Sequence, residues 1–460
     1  MKAKQISLLI LSVVAALALL CAVFPGDGID LGFAQLRFPG LIEVLQGDST
    51  DFIDPEEQMA RLAQEQMALK YAKDDSAYIT KLNQSETKIW FPNDDMTYFD
   101  TVFAALDNAS KKHVRIIHYG DSQIELDRMS CDLREMLQSK FGGHGKGWIP
   151  IVPIAGNNTL SASCAPRLYQ GFQYSFFDET KPRDSKGGPY ATTAYLTGGT
   201  VTVTVRCVDA PRYQHVHGFD RVKVLTGSNG GTLAVKCGNA SAQVSPNKSL
   251  TVTSVDIDST SSAKVSISGS AHLYGILLDS RTGVAVDNVP MRGCTGNIFT
   301  LIAKEEVKDF FAKENVPLVI LQFGGNVTPL INNKNLPVVL DQLRSQIEYF
   351  QEVAPGSRIL FIGPSDMATR RGGTLHTYTN LPMYVDALKA MCLEAGVAYW
   401  DMFAVMGGQD SMVSWEKNGW AGSDYIHFST EGAQRMTELF NNSFMLYYDY
   451  YTFRHNNKKQ

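Results

Sequence analysis

Between residues 113 and 145 the chain reads HVRIIHYGDSQIELDRMSCDLREMLQSKFGGHG, and its apolar positions change period midway. Val114, Ile116 and Ile117 form a β-branched run that ends at Tyr119 and Gly120. Leu126, Met129, Leu133, Met136 and Leu137 then recur at helical spacing until Gly142 and Gly143 close the segment. The pattern predicts a strand, a tight turn and a helix. Further apolar strands are expected at 283–289, 317–324, 358–364 and 397–403, with helical periods near 297–312, 336–353, 381–395 and 431–441. With the first strand these predict an α/β fold of about five parallel strands alternating with helices.

The middle of the chain has a different rhythm. From about 155 to 280, Thr, Val and Ser alternate in stretches such as TVTVTVRCV, FDRVKVLTG and TLAVKCG, separated by Gly, Asn, Pro and Asp. Short strands with turn signals predict a β-sandwich inserted into the α/β unit. Upstream, Phe99, Val102, Phe103 and Leu106 make one helical face, and Asp54 to Lys81 is an Ala-, Gln- and Glu-rich, helix-prone stalk. The expected organisation is a terminal segment 1–25, a juxtamembrane helical region 26–95, a leading α/β segment 96–154, the insert 155–282 and a closing α/β segment 283–450.

Lys2 and Lys4 precede an uncharged apolar run of nineteen residues, Ile6 to Phe24, followed by Pro25. This reads as an uncleaved membrane anchor, with a cleaved export signal as the alternative. Leu20 directly before Cys21 makes a poor lipoprotein cleavage site. The expected location is therefore the exported side of a membrane, with the chain held on it by this segment. A net charge of −5 and no basic cluster exclude nucleic-acid binding by bulk electrostatics. Seven cysteines show no metal-like spacing, so no metal site is expected. Cys207 and Cys237 either pair or stand as separate buried thiols. His215 and His217, read as alternating on one strand face, form a pair more readily explained by coincidence than by a metal.

Candidate chemistry collects where strands end. Ser122 follows the first strand, at the end where open α/β sheets bind ligands, and would sit at a helix N-terminus that favours developing negative charge. Asp121 or Ser122 could equally be a plain helix cap. In VDNVPMRGCTGN (286–297), Gly293 leaves room for its backbone N–H to reach a reacting oxygen, or serves only its turn. In LQFGGNV (321–327), Asn326 offers an amide at the sheet mouth, or satisfies its own loop. In GSDYIHFSTEGAQRM (422–436), Asp424 and His427 lie three apart, so a short loop can aim His427 at Ser122 while Asp424 accepts from the other ring nitrogen. A surface histidine near a helix start is the plain alternative, and the order of the four features weighs against it.

These stretches resemble the blocks of the SGNH (GDSL-type) hydrolase superfamily, over roughly 96–153 and 283–445. HYGDSQ resembles the first block, MRGCTG the second, FGGNV the third and DYIHF the fifth. The resemblance implies a flavodoxin-like three-layer domain without metal or organic cofactor. It implies Ser122 as nucleophile, His427 as base and Asp424 completing the triad. The implied oxyanion donors are the Ser122 N–H, Gly293 (with Gly296 as its rival) and Asn326. Val327 stands where the family usually carries an acidic residue, and the GxSxG elbow of α/β-hydrolases is absent.

In architecture the chain is similar to exported bacterial peptidoglycan O-acetylesterases, which carry a carbohydrate-module-like β-sandwich between the first two blocks. That similarity implies a serine esterase removing acetyl groups from peptidoglycan or another polysaccharide through an acyl-enzyme. One alternative is an O-acetyltransferase with the same triad, fed by a membrane O-acyltransferase partner. Another is a non-catalytic glycan-binding protein. In the insert, Tyr169, Phe172, Tyr174, Tyr190, Tyr195 and Tyr213 either stack on sugar rings or fill the core. Beside Ser122 stand His118, Gln123, Asp127 and Arg128, the last two expected to tie the first helix to neighbouring loops.

Overall fold

The computed structural model describes residues 74–154, 156–173, 186–227 and 231–457, and before them 12, 13, 15–17, 19, 20, 29, 30, 35, 36, 57, 60, 61, 63 and 64. The chain divides into two units, Met1–Phe52 and Ile53–Gln460. In the first, residues 12, 13, 15–17, 19 and 20 are helical, and Ile29–Asp30 pairs antiparallel with Gln35–Leu36. The rest of the apolar run Ile6 to Phe24 lies outside the described residues, as does most of the helix-prone stretch Asp54 to Lys81, whose end forms part of a helix at Asp75–Gln84. Among the described residues no helix is long and apolar enough to cross a membrane.

The second unit is built on five parallel strands, β1 (Val114–Gly120), β2 (Val284–Pro290), β3 (Leu318–Gln322), β4 (Arg358–Ile362) and β5 (Ala398–Trp400). They are hydrogen-bonded in the order β2-β1-β3-β4-β5, and Ile89–Trp90 adds an antiparallel edge beside β5. This is the flavodoxin-like order, in which the crevice between β1 and β3 is the topological switch point. Every residue of β1 and of β3 is buried, as expected of parallel strands covered on both faces.

The covering helices are α1 (Ser130–Phe141), α2 (Lys304–Lys313), α3 (Leu336–Val353), α4 (Leu381–Glu394) and α5 (Thr430–Asn457). Ile117, Tyr119, Val319, Leu321 and Phe361 share one apolar cluster with α2, α3 and α4. Helix α1 packs on β2 and α5, while Phe440 of α5 meets Trp400 at 5.1 Å between ring centroids. The apolar pattern suggests that this last helix ends near 441, yet it runs to Asn457. Phe444 and Tyr451 recur seven apart and pack on Phe99 and Phe103, so tertiary burial overrides the weak propensity of Asn441, Asn442 and Ser443.

Two local expectations are corrected at the start of the domain. The α-helix after β1 begins at Ser130, not beside Ser122, because Leu126, Asp127 and Met129 adopt positive φ of 62°, 69° and 58°. Ser122–Ile124 is instead a single 3-10 turn, so the dipole of α1 does not act on Ser122.

Nine strands, from Gly147–Ile149 to Ser262–Asp279, join into one antiparallel network. The eighteen-residue strand Ser262–Asp279 changes neighbours along its length. Its residues 265–268 lie between Thr192–Cys207 and Leu233–Cys237, whereas 276–278 lie between Phe219–Thr226 and Gly147–Ile149. Register shifts beside Gly269 and Gly275, with φ of 128° and 135°, let the strand bend there. The network has an apolar core of its own around Val203, Val224, Val235 and Ile267. Cys207 and Cys237 are unpaired thiols on strands either side of Ser262–Asp279. Two strand spacings, about 9–10 Å, put them beyond disulfide reach. His215 and His217 lie in a 3-10 turn, not on a strand.

The β-network is bolted to the parallel sheet through Arg115 of β1. Its guanidinium pairs with Asp279, at the end of the long strand, and with Asp287 of β2 at 2.7 Å, all three side chains being fully buried. Asp287 also accepts from the Trp148 N–H at 2.9 Å and the Tyr190 hydroxyl at 2.5 Å. Removing one partner of a buried pair strands the other's charge. Arg115→Met is therefore expected to lower unfolding free energy by about 3–5 kcal/mol, read by urea titration. A loss within experimental error would show that the cluster does not hold the sheet and the network together.

Candidate active site

The last position of β1, Gly120, has no room for a side chain. A Cβ would meet Ile124 at 2.9 Å and the Gln322 carbonyl at 3.0 Å. Asp121 follows, and its Oδ1 accepts the Gln123 N–H at 2.9 Å, closing the 3-10 turn that presents Ser122. The Ser122 Oγ lies 2.7 Å from Nε2 of His427, 305 residues away in the chain.

The loop carrying His427 is shaped by Asp424. One carboxylate oxygen accepts the backbone N–H groups of Ile426 and His427, both at 3.0 Å, and the other receives Nδ1 of His427 at 2.7 Å. The three-residue spacing is what allows one side chain both to fold the loop and to orient the ring. Burial opposes ionisation of Asp424, but the hydrogen bonds from the His427 side chain and backbone and from Ile426 outweigh it and hold the carboxyl below its usual range. With Asp424 fixing Nδ1 as the donor, Nε2 is left to accept from Ser122.

Two side chains from the serine turn clamp this loop, a role that the sequence does not reveal. Gln123 Nε2 donates to the Ile426 carbonyl at 2.6 Å while its Oε1 accepts the Phe428 N–H at 3.3 Å, so it grips both neighbours of His427. Arg128, expected to tie the first helix to neighbouring loops, donates to the carbonyls of Ser122 at 2.6 Å and, on the His427 loop, of Phe428 at 2.8 Å. The only signal for either is a polar side chain, one and six residues beyond the serine, in a stretch where polar side chains are common. Asp127 has the expected structural role. It is fully buried and bonded to Arg134 at 2.9 and 3.0 Å, Lys146 at 3.0 Å and Thr159 at 2.6 Å. His118 is also structural. It bridges Gln322 at 2.9 Å and Ser130 at 3.0 Å, and burial pulls its pKa down to about 4, so the ring is neutral.

Asn326 reaches the same place from the loop after β3. Its Nδ2 donates to Asp121 Oδ2 at 3.1 Å and to the Cys294 carbonyl at 3.0 Å. The loop after β2 is hooked to the end of β1 by the Met291 N–H, which donates to Gly120 at 2.8 Å. Gly293 lies in the turn that follows, with φ of 77°. Gly296 is packed on Phe323 and Leu343, and its N–H is engaged by Cys294 Sγ at 3.3 Å. A pocket of about 160 Å³ opens beside the serine, walled by Ser122, Asn326, Pro329, Met367, Met402 and His427; Gly293 is not among its walls.

The remaining candidates lie elsewhere. His215 is 2.7 Å from Glu135, and His217 accepts the Ala210 N–H at 3.1 Å. Phe172, Tyr190 and Tyr213 are buried; only Tyr169 is largely exposed, stacked on Tyr195 at 5.8 Å. Tyr174 lies outside the described residues.

A family model described as GDSL-like lipase/acylhydrolase matches residues 258–435. That span holds Gly293, Asn326, Asp424 and His427, and leaves Ser122 upstream. The fold is similar to that of a solved peptidoglycan O-acetylesterase, at 19% identity over 76% of this chain and 95% of that one, with a TM-score of 0.61. A family two carbohydrate esterase from Clostridium thermocellum, solved with cellohexaose, is similar at 11% identity over 60% and 97%, with a TM-score of 0.25. The first likeness establishes a common fold; the second is too distant to bear on it. No curated protein matches the chain in sequence.

Burial raises the Asp121 carboxyl to about 6 from 3.8, against the opposing bonds from Gln123 and Asn326. Its contribution to stability is thus fully present below about pH 4 and is lost as pH rises through about 6. Asp121→Asn cannot titrate, so its stability relative to the parent is expected to rise by about 3 kcal/mol between pH 3.5 and 7.5. Urea unfolding of both proteins at the two pH values measures this. A difference that does not change with pH would refute it.

Proposed function

We propose that the chain is an SGNH/GDSL-type hydrolase, an exported serine esterase that removes O-acetyl groups from an extracytoplasmic glycan. The observation that carries the reading is the relay from Ser122 through His427 to Asp424, with both contacts at 2.7 Å. His427 takes the hydroxyl proton as Ser122 Oγ attacks the acetyl carbonyl, and Asp424 stabilises the imidazolium. The carbonyl oxygen becomes an oxyanion between the Ser122 N–H and the Asn326 amide. For Asn326 this means exchanging one of its two present acceptors. The neutral Cys294 carbonyl is the weaker of them and yields to the charged oxygen.

The tetrahedral intermediate then collapses. The sugar oxygen leaves with the proton from His427, and an acetyl-serine remains. Water, deprotonated by the same ring, attacks that ester and releases acetate and free Ser122. The peptidoglycan O-acetylesterase with the same fold supports a glycan as the alcohol component. The nine-stranded network fits the sandwich-like insert expected between the first two sequence blocks, and the apolar run at 6–24 fits a membrane-held exported protein.

The pocket beside Ser122 supports a short acyl group. At 160 Å³ it is close to the roughly 150 Å³ cavity that holds a benzene-sized guest. Acetyl esters are expected to turn over at least tenfold faster than dodecanoyl esters of the same alcohol, whose chain has about twice the carbons of that guest.

The decisive assay measures acetate released from O-acetylated peptidoglycan, O-acetylated xylan and a small acetyl ester. Ser122→Ala is expected to lower the rate by at least about 10³-fold, and Asn326→Ala by about 10²–10³-fold. Serine-dependent acetate release from a glycan bears the proposal out. Loss of glycan acetyl only when a sugar acceptor is added, with the acetyl recovered on it, would make the chain a transferase. Activity unchanged in Ser122→Ala would overturn both.

A further inference from the structure

Both hydrogens of the Asn326 amide are engaged, one by the Cys294 carbonyl at 3.0 Å and one by Oδ2 of Asp121 at 3.1 Å. The two acceptors differ in kind. Cys294 offers a neutral peptide oxygen, whereas Asp121 offers a carboxylate oxygen next to the nucleophile. A bond to a charged acceptor is roughly twice as strong as a neutral one. When a substrate oxygen competes for the amide, the Asp121 bond is therefore the one that holds.

Asp121 is placed to serve both sides of the reacting serine. Its N–H donates to the Gln322 carbonyl at 3.3 Å, at the end of β3, and Asn326 follows on the next loop. Its Oδ1 accepts the Gln123 N–H at 2.9 Å and so shapes the turn that presents Ser122. One carboxylate thus holds the serine turn with one oxygen and the Asn326 loop with the other. With only 4% of its surface exposed, it leaves water little part in either bond.

Few side chains can stand in this position. Two N–H donors converge on opposite oxygens, so both ends of the side chain must accept. An ionised carboxylate has acceptors only and serves both. An asparagine carries one oxygen and one NH2, so one of the two donors would face another donor. Burial works against the charge and raises the carboxyl to about 6, with the Gln123 N–H, His427, Arg128 and Asn326 pulling the other way. A charge retained against burial is expected where the charge is used.

We propose that Asp121 is the positioning residue of the oxyanion site. Its carboxylate pins the Asn326 amide, so that the hydrogen now given to Cys294 is the one that swings to the substrate oxygen as charge develops there. This rests on the esterase reading, in which Asn326 stabilises the oxyanion. Asp121 is an acceptor and donates nothing to that oxygen, so it acts on the rate through Asn326.

A kinetic double-mutant cycle tests this on the full-length chain, with a small acetyl ester at about pH 8, where the carboxyl is ionised. Asp121→Asn can keep its oxygen on the Gln123 N–H, so the serine turn is retained while Asn326 meets a donor. It is expected to lower kcat at least about tenfold while KM changes less than about threefold, the pattern of an interaction made in the transition state. In the Asn326→Ala background the same substitution should change kcat less than about threefold. Asp121→Ser, whose shorter hydroxyl can cap the turn but not hold Asn326, should show the same pattern and serves if the first variant does not fold.

A loss of kcat of equal size in both backgrounds would make Asp121 a support of the serine turn alone and overturn the proposal. Turnover by Asp121→Asn as fast as the parent's, or faster, also overturns it. In either case a parent whose activity is lost with Ser122→Ala keeps the esterase reading. A parent with no serine-dependent hydrolysis defeats that reading, and the assignment of Asp121 with it.

Discussion

A guanidinium with no access to water is tolerated only where carboxylates surround it, and Arg115 is such a group. Its two closest partners belong to different regions of the fold, with Glu314 third at 3.5 Å. Asp287 lies in the parallel sheet and Asp279 at the end of the insert's longest strand. Because neither carboxylate can be left buried and alone, β1, β2 and the β-network must meet in one register. Asp127 repeats the arrangement, collecting Arg134, Lys146 and Thr159 around the segment that leaves the serine turn. Along the chain the serine turn thus falls between residues of two buried charge clusters.

On that footing the reactive geometry is assembled largely from backbone contacts. His427 is part-exposed on a loop, with a third of its side chain open to solvent, and a loop of that kind does not hold a 2.7 Å contact unaided. Gln123 and Arg128 supply the constraint by gripping the peptide groups on either side of it. The ring is thereby located by the chain that carries the serine, so movement of one carries the other. Preorganisation of this sort avoids reorganising the site at the moment of reaction.

Much of this is legible in the amino-acid sequence alone. Parallel strands buried on both faces read as unbroken apolar runs, which is why β1 to β4 stand out around Ile116, Ile320 and Leu360. The spacing of Asp424 and His427 carries its own geometry, since an Asx-type turn needs only local bonds. What sequence cannot convey are features set by tertiary context. Positive φ at Leu126, Asp127 and Met129 is imposed by the buried pocket for Asp127, so the helix starts late despite an earlier helical pattern. Phe444 and Tyr451 extend α5 because Phe99 and Phe103 wait to receive them. The two-residue edge strand at Ile89–Trp90 is too short to leave a periodic signal. Gln123 resembles any turn residue until the loop it grips arrives from three hundred positions away.

The strand order carries a consequence for how the protein comes into being. β1 occupies an interior position, yet both of its neighbours, β2 and β3, are synthesised after the whole insert. A nascent chain that has emerged only as far as residue 280 therefore has a completed antiparallel network and a central strand with both edges open. Exposed apolar edges of that kind invite pairing with other chains. Arg115 and His118, polar groups set within that otherwise apolar strand, interrupt the run while it waits. The insert, placed where it is, makes the interval longer, but through Asp279 it also brings to Arg115 its first partner.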